Sequence, residues 1–264
     1  MFGLDYAFMR HAYVAGGSIA LASAAIGYFV TLRRQTFAAH ALSHIGFTGA
    51  AGAILLGLSP YFGLLSFTLA AALALGLAGA RLRERDVGIG MVLMFALGLG
   101  VLFLSLYTAG AQQAMSILFG SIVGIGEAQA GWALALAAGC LIALAALYRP
   151  LCLASLNADA ARVRGVPVRL LDLLFVALLA LCVSIAVPVI GALLIFAFLV
   201  GPPAAAQALA RGIGRGLLLA MALALALAWG GLAASYAIGF PASTWIASLS
   251  FALYLAAQLV RRGR

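Results

Sequence analysis

Long apolar runs, cut by arginines, prolines and short glycine-rich breaks, fill the chain from near its start to its last residues. A bilayer core about 30 Å thick asks for roughly 20 helical residues per crossing. On that measure the pattern predicts spans at about Ala12–Leu32, Thr36–Leu58, Tyr61–Ala80 and Val87–Tyr107. It predicts five more at Gln129–Tyr148, Leu170–Val187, Pro188–Leu209, Gly216–Ile238 and Ala242–Val260. Two stretches are expected not to cross. Ala114–Ile125 is short and glycine-rich, the mark of a re-entrant or interfacial piece shielded by protein. Leu151–Arg169 is amphipathic and too polar, with Asn157, Asp159, Arg162, Arg164 and Arg169. The expected fold class is an all-α, polytopic transmembrane bundle of about nine spans, forming one membrane domain over residues 1–264. Eight spans remain if the two runs divided only by Pro188 form one broken unit.

Composition removes the soluble alternative. Of 264 residues, 66% are hydrophobic and 8% charged, and mean hydropathy is +1.20. A water-soluble domain of this length needs polar surface that is missing here. The 31 glycines fit helices that approach closely in lipid, and the Ala41, Ile45, Gly49 and Ala53 face of the second span is small at every position but Ile45.

Charge fixes an orientation. All 15 basic residues are arginine, and 6 acids leave a net charge of +9. In a soluble protein that excess would suggest nucleic acid. Here the arginines cluster in the breaks between apolar runs, as cytoplasmic loops do, which argues for no nucleic-acid partner. With the N-terminus outside, nine crossings bring 14 of the 15 arginines to one side and leave only Arg10 opposite. Splitting or merging one helix would scatter the later clusters. The C-terminus is therefore expected in the cytoplasm.

Cys140, Cys152 and Cys182 are single and widely spaced, and are expected to be small apolar filler. The run after Arg10 is too long for the apolar part of a signal peptide, so no cleaved leader is expected.

Ionisable groups inside a span are costly and mark function. His40 and His44 are four apart on the second span, so both imidazoles fall on one helical face, one turn from each other. Neutral imidazole suits borderline divalent metals such as zinc. A metal path, hydrogen bonding between helices and a proton relay are all open to such a pair. Ser43, between them, is expected to bond its own backbone. The spacing also occurs in HExxH zinc hydrolases, but Ala41-Leu42-Ser43 supplies no glutamate base. Met94 is a weaker candidate ligand, with core packing the plainer role. His11 is expected near the outer mouth, Glu127 at the outer surface and Asp172 paired or capping near Arg169. No GxxxxGK[ST] loop occurs in the chain, so ATP dependence would have to come from a partner.

With those residues in hand, the chain resembles the permease subunits of bacterial zinc, manganese and iron ABC importers, over nearly its whole length. After an arginine pair that family has an aromatic and a Gly-Asp-x-x-x-His stretch entering the second span. The matching run here is Arg33-Arg34-Gln35-Thr36-Phe37-Ala38-Ala39-His40-Ala41-Leu42-Ser43-His44. Leu118-Phe119-Gly120 is similar to a family Leu-Phe-Gly that leads into an aspartate, replaced here by Ser121. Asn157-Ala158-Asp159-Ala160-Ala161-Arg162-Val163-Arg164-Gly165-Val166 is similar to the cytoplasmic coupling segment. Val189-Ile190-Gly191-Ala192-Leu193-Leu194, continuing to Gly201-Pro202-Pro203-Ala204-Ala205-Ala206, is similar to the family's most recognisable stretch.

The resemblance implies a type II importer permease in the bacterial inner membrane, paired with a second copy around a shared pore. Two cytoplasmic ATPase subunits would dock on a coupling segment at about 151–169, through Asp159, Arg162, Gly165 and Val166. An extracytoplasmic metal-binding receptor would deliver the cargo. His40 and His44 would form a transient path for a divalent metal, zinc favoured, with no stably bound cofactor and ATP used only by the partner. Two departures stand out: His40 replaces the family's aspartate, and Met94 stands where many relatives carry histidine. Losing a carboxylate should disfavour hard manganese relative to zinc. A stand-alone secondary transporter is the main alternative, although no carboxylate lies mid-span for a proton relay. An intramembrane metallohydrolase ranks last.

Overall fold

The structure is a computed structural model that describes residues 6–78, 85–106, 120 and 122–262. Part of the arginine cluster (Arg81 and Arg83), most of the expected re-entrant piece, and Leu118, Phe119 and Ser121 lie outside the described residues. Ten α-helices appear among them, and no β-strand. They are α1 (Ala7–Leu32), α2 (Thr36–Leu55), α3 (Pro60–Ala78), α4 (Arg85–Leu106) and α5 (Glu127–Leu156). The short α6 (Ala158–Val163) precedes α7 (Val168–Ile190), α8 (Ala192–Leu209), α9 (Ile213–Ile238) and α10 (Ala242–Arg262). A 3₁₀ turn, Ile122–Gly124, packs against α1.

Every helix except α6 has 18 residues or more, which matches the nine predicted runs. Seven are long and apolar enough to cross a membrane; α2 and α3 are not among those seven. The reason for α2 lies in its burial. Every residue from Ala41 to Ala53 is buried, so α2 is sheathed by protein and can carry His40, Ser43, His44 and Thr48. A helix hidden from lipid need not be apolar all round.

Two helices organise the packing. α1 is surrounded by α5, α7, α8 and α9, while α2 is surrounded by α3, α4, α7 and α8. α7 and α8 belong to both groups and join them, and α10 lies at the rim against α8 and α9. Small residues set the closest contact. A Cβ on Gly49 would strike the Gly63 carbonyl, and one on Gly63 would strike that of Gly49, so α2 and α3 cross backbone to backbone. The other half of the predicted small-residue stripe, Ala41 and Ile45, packs on Ile89 and Ala96 of α4. Polar pins reinforce the bundle. Thr48 Oγ1 donates to the Ala96 carbonyl at 2.7 Å, and the Thr68 and Ser184 hydroxyls lie 2.6 Å apart between α3 and α7.

Two predicted boundaries are corrected. α5 does not stop at Arg149-Pro150 but continues through Pro150 to Leu156. Proline removes one backbone donor, yet the following turn buries Leu151 at 0% and Ala154 at 7% exposure, and that packing outweighs the loss. The break between the sixth and seventh runs falls at Gly191, not Pro188. Gly191 has φ 91 and ψ 150, a conformation closed to residues with a Cβ, whereas Pro188 sits in the last turn of α7. α7 and α8, of 23 and 18 residues, are each a separate helix of membrane length. The cysteines are free and packed as expected, but Cys140 and Cys182 meet between α5 and α7, with Ser23 Oγ 3.8 Å from Cys182 Sγ.

Candidate functional site

α2 begins just after a tight reversal, Arg33-Arg34-Gln35, in which Arg34 takes a left-handed φ of 56. One turn into the helix comes His40, and one turn further His44. Their ring centroids are 4.6 Å apart at an interplanar angle of 78°. Helical spacing alone brings the two rings into this edge-to-face contact. His44 is 8% exposed, and His40 is half-buried beneath Phe196 of α8, whose ring lies 5.0 Å away and edge-on at 68°.

Nδ1 of both histidines is buried without a hydrogen-bond partner. Leaving a buried polar atom unpaired costs about 1–3 kcal/mol. A helix pair held by these nitrogens through hydrogen bonds is not what the geometry displays. Two unpartnered imidazole nitrogens, on rings whose centres are 4.6 Å apart, are instead suited to donating lone pairs to a Lewis acid. Among the described residues no group of three His, Cys, Asp or Glu side chains gathers to hold a metal ion. One chain thus offers two imidazoles, half of a four-donor shell.

The other predicted residues are placed as follows. Ser43 Oγ donates to the His40 carbonyl at 2.7 Å, a bond to its own helix as expected. Met94 is 71% exposed, while α4 turns Ile89 and Ala96 toward α2, so a single chain does not bring Met94 to the histidines. His11 is half-buried in the second turn of α1, and Glu127 is exposed in the first turn of α5. Asp172 is corrected: its partner is Arg33, in the α1–α2 turn, not Arg169.

Over the stretch expected to be a coupling segment, α5 runs on to Leu156 and the short helix α6 follows. Asn157 caps α6, its Oδ1 accepting from the backbone N–H of Asp159 at 3.0 Å and Ala160 at 2.9 Å. Arg162 donates to Asp159 at 2.6 Å on the exposed face. The helix closes with Gly165 N–H bonded to the Arg162 carbonyl and Val166 N–H to the Ala161 carbonyl, both at 3.0 Å. That double closure is the Schellman arrangement, with Gly165 at φ 78. Ala161 is fully buried and anchors the helix, while Val163 is 89% exposed. Sequence reasoning missed Val163. Its signal was available: an apolar residue between Arg162 and Arg164 on a helix otherwise polar outward.

Membrane-length helices packed around two buried ones, with a capped amphipathic helix between α5 and α7, define a multi-pass membrane transport subunit. The chain belongs to the ABC 3 transport family, whose model matches residues 5–261. It is accordingly an integral-membrane subunit of an ABC transporter, which displaces the secondary-transporter and metallohydrolase alternatives. The manganese import system permease protein ScaB of Streptococcus parasanguinis is 26% identical over 210 residues, 79% of this chain and 75% of that protein. The manganese transport system membrane protein MntC of Listeria monocytogenes is 26% identical, over 78% of this chain and 74% of its own length. The fold matches PsaBC from Streptococcus pneumoniae, solved in complex with a Fab, with a TM-score of 0.86 at 24% identity, covering 97% of this chain and 92% of that one.

Proposed function

We propose that this chain is the conducting subunit of an ATP-driven importer for a divalent transition metal, and that His40 and His44 form the metal's stepping point. The observation that carries the proposal is the edge-to-face imidazole pair with two buried, unpartnered Nδ1 atoms. A second copy related by a twofold axis would complete four imidazoles around the path. Such a site must bind weakly enough to release, so it acts as a relay rather than a resident metal centre. Cytoplasmic ATPase subunits dock on α6, and an extracytoplasmic receptor supplies the metal from the opposite face. The subunit lies in the bacterial inner membrane with α6 and the C-terminus inside, the orientation that gathers the arginines.

The choice of metal turns on His40. Imidazole donors favour borderline zinc over manganese, which prefers carboxylate and water. The similar proteins from Streptococcus parasanguinis and Listeria monocytogenes, by contrast, are named for manganese. ATP-driven uptake of labelled zinc and manganese by the reconstituted complex separates the two. His40→Asp is expected to shift the uptake ratio toward manganese by about tenfold. An unchanged ratio would remove His40 from selectivity.

A further inference from the structure

Many arginines among the described residues crowd the end of the bundle that carries α6, yet one of them is unlike the rest. Arg34, Arg149, Arg169, Arg211 and Arg215 are exposed, as residues that merely mark the cytoplasmic side should be. The Arg33 side chain is only 10% exposed. It donates through Nη2 to Asp172 Oδ1, its Cζ lies 5.2 Å from the ring centre of the fully buried Phe175, and its Nη1 is buried without a partner. Orientation in the membrane does not require this burial. Asp172 keeps 32% of its side chain exposed, and stability explains the Arg33 burial poorly, because taking a charge out of water commonly offsets the attraction gained.

The places that Arg33 and Asp172 occupy suggest what the pair does. Asp172 sits in the second turn of α7, which starts at Val168 just after the closure of α6. Pro167, at φ −73, stiffens the connection, and the Val166 bond to Ala161 ties it to α6. α6 itself packs on α5 and α7. On the other side, Arg33 caps α1, and Gln35 N–H bonds back to the Val30 carbonyl at 2.8 Å, so the reversal into α2 is firmly held. His40 follows seven positions after Arg33. A continuous rigid route therefore runs from α6 through α7, across Asp172 and Arg33, to the start of the histidine-bearing helix.

We infer that Arg33 and Asp172 are positioning residues that act as a strut, passing displacement of α6 and α7 to α2 and so setting the histidine pair in step with the ATPase. This inference rests on α6 being the docking helix. The test uses the full complex in proteoliposomes, with ATP hydrolysis and uptake of zinc and manganese ions measured together. Arg33→Gln/Asp172→Asn leaves neither charge buried alone, so it is expected to assemble and hydrolyse ATP within about twofold of wild type. Metal moved per ATP should nevertheless fall roughly tenfold. Arg33→Lys, which keeps the charge but not the planar fork, should stay within about threefold. Unchanged metal per ATP in the double variant overturns the strut. So does a loss of uptake that only tracks loss of assembled complex, since a purely structural pair would behave that way. Arg162→Glu separates the underlying premise: if it leaves ATPase association and uptake at wild-type level, α6 is not the docking helix. If it releases the ATPase while the double variant stays coupled, the strut alone is wrong.

Discussion

The start of α2 and the helix α6 depart from their surroundings in opposite senses. In α2, polar nitrogens sit in a protein-sheathed interior with nothing to bond, as at Nδ1 of His40 and His44. In α6, an apolar side chain stands in the open, with Val163 at 89% exposure. On the proposed function, each departure would be relieved by something outside the chain: a metal ion for the imidazoles, a docked protein for the valine. Local rules of folding fail where function supplies the missing partner.

Substitutions can break this contrast from either end. The largest effect is expected from His44→Ala, which should lower ATP-driven metal uptake about a hundredfold while ATP hydrolysis persists. Uptake and hydrolysis assayed on the same vesicles check this, and normal uptake would take the histidines out of the mechanism. Next in size is Val163→Glu, expected to weaken association with the ATPase about thirtyfold, the roughly 2 kcal/mol of an apolar side chain lost from a covered contact. Titration of purified ATPase into the detergent-solubilised subunit measures it. Asn157→Ala removes the cap of α6 and should cost about 1 kcal/mol, read as a fewfold weaker ATPase titration with the bundle's thermal stability unchanged. The smallest effect belongs to Met94→Ala. Its side chain is 71% exposed, so uptake and metal preference should stay within about twofold of wild type unless the second copy brings Met94 to the path.

Much of this architecture was legible in the chain because lipid-length apolar runs and arginine breaks are local signals. The His40–His44 face was equally legible, since helical periodicity fixes it. What escaped was decided by contacts remote in sequence. Pro150 looked like a stop because its lost donor is visible, while the burial of Leu151 that outweighs it is not. Pro188 drew the boundary away from Gly191 for the same reason. Asp172 was matched with Arg169, three positions away, although the fold brings it to Arg33, 139 positions distant. Cys140 and Cys182 looked isolated because their meeting needs α5 and α7 side by side. α2 is the instructive case. Its polar residues leave it outside the seven helices apolar enough to cross a membrane, and burial within the protein makes that composition tolerable.

The central claim is that the imidazoles of two copies face one another across a shared conduit. Cross-linking tests it most directly. In a complex with Cys140, Cys152 and Cys182 replaced by alanine, His40→Cys places one thiol on each copy, and a short bifunctional thiol reagent carrying charge is added. The account predicts rapid formation of a linked pair of subunits, slowed by excess zinc. A thiol that reacts only with lipid-soluble reagents, and never links two copies, would contradict it.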